Sequence, residues 1–171
     1  THVENRVDPL ADADVVETEL MLADLESVEK RIGPIEKKAK AGDKDSKAQF
    51  QLLEKVLGPL REGRPARTAE ITAEEMPAFR ALQLLTAKPV VYVCNVEEAS
   101  AATGNAYSRK VEERAKAEGA VAVVISAKIE AEFAGLPDED RAEFLASMGL
   151  EEPGLNRLIR AGYALLDLVT Y

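Results

Sequence analysis

From Thr1 to Pro9 the chain shows no clear hydrophobic period, and then two long stretches take up the spacing of amphipathic helices. In the first, Met21, Leu25, Val28, Ile32, Ile35 and Ala39 recur at alternating steps of four and three, the seam of a coiled coil. Phe50, Leu53, Leu57 and Leu60 repeat that alternation in the second. The first stretch, Val15 to Lys40 with Asp12 or Asp14 as cap, predicts a helix roughly 40 Å long at about 1.5 Å per residue. A kink is expected near Gly33, because Pro34 removes a backbone hydrogen bond there. Gly42 ends this helix and Asp43 or Asp45 starts the next. Neither helix can bury its seam alone, so the two are expected to form an antiparallel hairpin.

The period changes after Gly63 to Thr68, which reads as a return loop. Thr72 and Glu75 have the spacing of a capping box, and the helix they open, carrying Met76, Phe79, Leu82 and Leu85, is expected to close before Pro89. Two short apolar runs follow, Val90 to Cys94 and Ala120 to Ile125, both rich in valine and without alternating polar residues. They predict strands covered on both faces. Ser108 to Glu118 between them reads as a helix, which makes a βαβ unit. Three further helices are expected, near Ile129 to Ala134, from about Asp138 to Met148, and from Pro153 to Leu168. The last carries Leu155, Leu158, Ile159, Gly162, Leu165 and Leu166 on one face and should pack on the sheet. The fold class is therefore α/β with helix dominant, divided into a loop over 1–12, a helical hairpin domain over 13–86, and a βαβ unit with helices over 87–171.

Composition narrows the setting. Among 171 residues, 31 are acidic and 22 basic, a net charge of -9, so any contact with nucleic acid must rest on a local basic patch. A single cysteine, Cys94, excludes an internal disulfide, and it reads as a small apolar strand residue. No apolar stretch approaches the roughly 20 residues of a membrane span, and the expected compartment is the cytoplasm.

In open α/β sheets a ligand lies beyond the carboxyl ends of the strands, here Asn95 to Glu98 and Ser126 to Lys128. A nucleotide base is expected at these two loops. The Asn95 amide both donates and accepts, so it can pair with a purine N7 and also hold the neighbouring loop. Asn is equally at home as a plain turn residue at a strand end. Lys37, Lys38, Lys40, Lys44 and Lys47 crowd the expected tip of the hairpin, either as a solvated face or as a contact for something anionic.

The ordered set Thr1-His2-Val3 with Val7-Asp8-Pro9, Leu22-Ala23-Asp24-Leu25, Gly42-Asp43-Lys44-Asp45, Asn95-Val96-x-Glu98, Ser126-Ala127-Lys128 and Gly149 to Tyr163 resembles the YchF branch of the P-loop GTPases, the Obg-like ATPases. The resemblance spans nearly the whole chain. It implies a partial P-loop NTPase domain of Rossmann-like type with an inserted antiparallel coiled-coil hairpin. It also implies base-reading residues at Asn95, Val96, Glu98, Ser126, Ala127 and Lys128, a catalytic role for His2, and a ribosome or RNA contact at the hairpin tip. Glu98 stands where GTPases usually keep Asp, and Val96 where they keep Lys. Both departures put guanine selectivity in doubt, and the family is understood to prefer ATP over GTP. No Gly-x-x-x-x-Gly-Lys-Ser/Thr occurs in the chain, so phosphates and Mg2+ find no loop here. The family carries that loop before the point matching Thr1 and a TGS-type domain after the point matching Tyr171. The expectation is an interior piece of a larger ATPase, inactive alone. The rival reading is a non-enzymatic coiled-coil module that binds ribosome, RNA or protein.

Overall fold

The computed structural model describes residues 7–168, so His2 lies outside the described residues. The described chain falls into two compact units, one made of Ala11–Lys88 and the other of residues 7–10 with 89–168. It is mostly helical, with one small parallel sheet.

Two helices dominate the first unit: α1 (Pro9–Lys40) and α2 (Lys44–Arg61), joined by a tight turn in which Gly42 takes φ 96°. Only glycine enters that backbone region without strain. Asp43 caps α2 by accepting from the Ser46 N–H at 2.9 Å. Val28 of α1 is fully buried with Leu52, Leu53, Val56, Leu57 and Leu60 of α2, and Met21, Leu25, Ile32 and Ile35 pack against them. Five of the six seam residues expected of α1 thus face a shared core, and Ala39 lies outside it, bordering a pocket near the turn.

Two local expectations are corrected. Helix α1 begins at Pro9 rather than near Val15, because proline suits a first turn where its missing N–H would have no partner. The helix continues through Gly33 and Pro34 to Lys40, with Ile32 and Ile35 packed against the core and Pro34 exposed. The helix after the capping box is shorter than expected. The box itself forms, with the Thr72 N–H donating to Glu75 Oε2 at 3.0 Å and the Glu75 N–H to Thr72 Oγ1 at 3.3 Å. Helix α3 (Met76–Ala81) nevertheless stops early and Gln83 turns to φ 53°. The amides that would have continued it are taken elsewhere: Asp24, 2% exposed, accepts from the Leu85 and Thr86 N–H groups at 2.7 Å each and from the Thr86 hydroxyl at 2.6 Å.

In the second unit β1 (Val91–Asn95) and β2 (Val121–Ile125) pair in parallel, Val91 opposite Val121 and Asn95 opposite Ile125. The crossover is α4 (Ala106–Glu118), capped by Asn105, whose Oδ1 accepts from the Tyr107 and Ser108 N–H groups at 3.0 Å, and ended by Gly119 at φ 69°. The strands are less covered than expected: only Val123 among their residues is buried, and Val93 is 45% exposed. Two strands with α4 and α7 against them do not close both faces of a sheet. Cys94 is accordingly half-buried, and burial, with Glu112 second, pushes its thiol pKa up.

Helix α5 (Ala127–Gly135) follows β2 after Ser126 alone, so Ala127 and Lys128 form its first turn rather than a loop. Then come α6 (Asp138–Ser147), followed by Gly149 at φ 69°, and α7 (Gly154–Leu165), which Pro153 introduces. Helix α7 lies against β2 and β1, but Leu155, Ile159 and Leu166 of its expected apolar face are exposed. Its close contact is Gly154: a Cβ there would lie 2.8 Å from Ile125 Cγ2.

Candidate functional site

The two segments at the carboxyl ends of the strands are tied together by one side chain. Asn95 closes β1, and its Oδ1 accepts from the Ala127 N–H at 2.9 Å, while the Val96 N–H donates to the Ile125 carbonyl at 2.9 Å. The amide oxygen of Asn95 is thereby spent on positioning α5, and its NH2 stays available on an exposed residue. Val96, half-buried beside it, adds an apolar surface.

The neighbouring acids separate into two environments. Glu97 accepts from Ser100 Oγ and, at 3.5 Å, from Asn105 Nδ2, and the Ser100 bond leads in lowering its pKa. Glu98 opens a single 3-10 turn and pairs with Lys128, Nζ to Oε2 at 2.6 Å, and this bond raises the lysine's pKa. The sequence did not anticipate that Glu98 and Lys128 would be joined, because they lie beyond the ends of different strands and only the parallel register brings them together. Ser126 is 3% exposed and its hydroxyl has no hydrogen-bond partner, so what it presents to the site is backbone.

Glu130 is a positioning residue that sequence reasoning missed. Its carboxylate accepts from the Gly154 N–H at 2.7 Å and the Leu155 N–H at 3.2 Å, supplying from α5 the cap that Pro153 cannot give α7. An acid one turn into α5 ahead of a distant Pro-Gly helix start was the only signal.

All five lysines expected at the hairpin tip are exposed: Lys37, Lys38 and Lys40 in the last turn of α1, Lys44 and Lys47 at the start of α2. Lys40 pairs with Glu36 at 2.6 Å. Lys40, Lys44, Lys47, Gly42 and Phe50 border a pocket of about 370 Å³. Among the described residues no group of three or more His, Cys, Asp or Glu could hold a metal ion. No described helix is long and apolar enough to cross a membrane.

The fold matches the Schizosaccharomyces pombe YchF GTPase with a TM-score of 0.81 and 27% identity, over 97% of this chain and 46% of that one. That neighbour is of the class of P-loop GTPases, and this chain shares the fold of nearly half of it. No family model matches the chain. Its sequence is 49% identical over 170 residues to the ribosome-binding ATPase YchF of Escherichia coli O157:H7, and 44% identical over 173 residues to that of Bacillus subtilis strain 168. The alignments take in 99% and 100% of this chain. Within the class, then, the chain is a homologue of the YchF proteins, the Obg-like branch, along its whole length. It spans about half the length of the curated relatives it matches, 47% in each case.

Proposed function

We propose that this chain supplies the base-reading part and the helical arm of a ribosome-binding ATPase, in which ATP is preferred to GTP. The observation that carries the reading is the Asn95 bridge: one amide orders both loops at the strand ends through the Ala127 N–H and keeps its NH2 free for a purine N7. Val96 contributes a flat apolar contact without choosing between bases. Glu98, one methylene longer than the Asp usual in GTPases and already paired with Lys128, is poorly placed to accept both N1–H and the 2-amino group of guanine. The ribosome-binding names of the relatives support giving the exposed lysines of the tip an RNA contact.

Phosphate handling and Mg2+ belong to residues other than those described, and His2 is proposed to act on the attacking water only in their company. The part played by the present chain is to hold and orient the base, so the 171-residue chain alone is expected to hydrolyse no ATP above background. Nucleotide titration of the full-length protein tests the reading: saturable ATP binding, weakened about tenfold or more by Asn95→Ala, is the expected result. Absence of saturable binding by either ATP or GTP would leave a non-enzymatic arm that docks on the ribosome.

A further inference from the structure

We propose that Lys128 sets the purine specificity of this site: anchored on Glu98 at 2.6 Å, its ammonium converts an acceptor suited to guanine into a donor suited to the unprotonated N1 of adenine. The inference rests on the reading of these two loops as the base site. Guanine presents two donors side by side, N1–H and the 2-amino group, and a carboxylate meets both by turning one oxygen to each, in competition with any donor already bound there. Here Oε2 of Glu98 is occupied. An ammonium has three N–H donors, and after one is given to Glu98 the others remain to point at an acceptor. Adenine offers an unprotonated acceptor at N1 and carries no amino group at C2.

Both members of the pair are held by the same local frame. Lys128 is the residue after Ala127, whose N–H is fixed by Asn95, and Glu98 begins the 3-10 turn three residues after Asn95. Glu97 is engaged by Ser100 and Asn105, leaving Glu98 as the lysine's hydrogen-bonded partner. The bond to Glu98, with its charge and that of Glu132, raises the lysine's pKa, which keeps the ammonium protonated through the neutral range. The lysine side chain is 67% exposed, and an ion pair this open adds little to folding, so packing alone gives no reason for it.

The test uses the full-length protein with ATP, 1-deaza-ATP, which lacks the N1 acceptor, and GTP as probes. Wild type should prefer ATP to 1-deaza-ATP by about tenfold, the value of one hydrogen bond to a charged group. Lys128→Met keeps the apolar stem and removes the donor, so that preference should fall to within about twofold and GTP should gain on ATP by about tenfold. Lys128→Arg, which keeps a donor, should retain the ATP preference. Saturable ATP binding with both ratios unchanged in Lys128→Met overturns the inference while leaving the base site in place. No saturable binding by wild type removes the base site itself, and the inference with it.

Discussion

Asp24 shows how one buried side chain can decide secondary structure far away in sequence. Its carboxylate satisfies two backbone amides and a hydroxyl, and the Thr86 hydroxyl in turn accepts from the Ala66 N–H at 2.8 Å. Removing it strands those donors in a dry site. Asp24→Ala should therefore destabilise the protein by about 3 kcal/mol, read as a lower urea midpoint, with Asp24→Asn costing less because it keeps an acceptor. An alanine variant that unfolds at the wild-type midpoint would mean that water replaces the carboxylate. Gly154 makes the opposite kind of demand, for space. Helix propensity favours Gly154→Ala by at most about 1 kcal/mol, but the new methyl would press on Ile125 Cγ2 at 2.8 Å and Glu130 Oε1 at 2.9 Å. Overpacking of this kind costs about 1–3 kcal/mol, so the variant should be the less stable one. Ile125→Ala, which removes that Cγ2, should cost less in the Gly154→Ala chain than beside glycine in thermal melts.

Among the elements, α2 carries its own pH dependence. The Ser46 hydrogen bonds lower the Asp43 pKa from its ordinary 3.8, so the cap is stronger in its ionised form. A depressed folded pKa means stabilisation that is complete above the unfolded value and lost as pH falls through the folded one. Helicity should thus decline as pH drops below 3.8, and Asp43→Asn, which caps without ionising, should flatten that part of the circular dichroism profile. Equal acid sensitivity in the two proteins would assign the decline to other carboxylates. Elements of this kind were legible in the sequence because their signals are local: the seam from Met21 to Ile35, the cap at Asp43, the stop at Gly149. What could not be read depended on partners distant in sequence. The early end of α3 follows from Asp24, and the incomplete cover of β1 from how few strands stand beside it. The Asn95 and Lys128 positions were readable from their place at strand ends, whereas their partners, Ala127 and Glu98, required the register.

For the molecule as a whole, net charge and local charge point different ways. A chain at -9 repels phosphate backbones in general, so an RNA contact by the tip must come from the lysines acting together. Replacing Lys37, Lys38, Lys40 and Lys44 by Gln removes four charges from exposed positions and leaves Ile35 and its packing intact. Ribosome association of the full-length protein should weaken, and its logarithmic salt slope should become shallower by up to about three units, because each phosphate that is no longer neutralised keeps its counterion. Wild-type affinity and slope, with helicity unchanged, would leave these lysines as solubilising charges.

Ser126, standing alone between β2 and α5, leaves that junction no slack. One added residue would turn the helix beyond it by about 100°. The same turn would carry Lys128 away from Glu98, the Ala127 amide from Asn95, and Glu130 from the start of α7. Length at this point therefore sets all three contacts at once. Insertions that the stretch from Gly149 to Pro153 could absorb should be fatal here, even if every side chain of the site were kept.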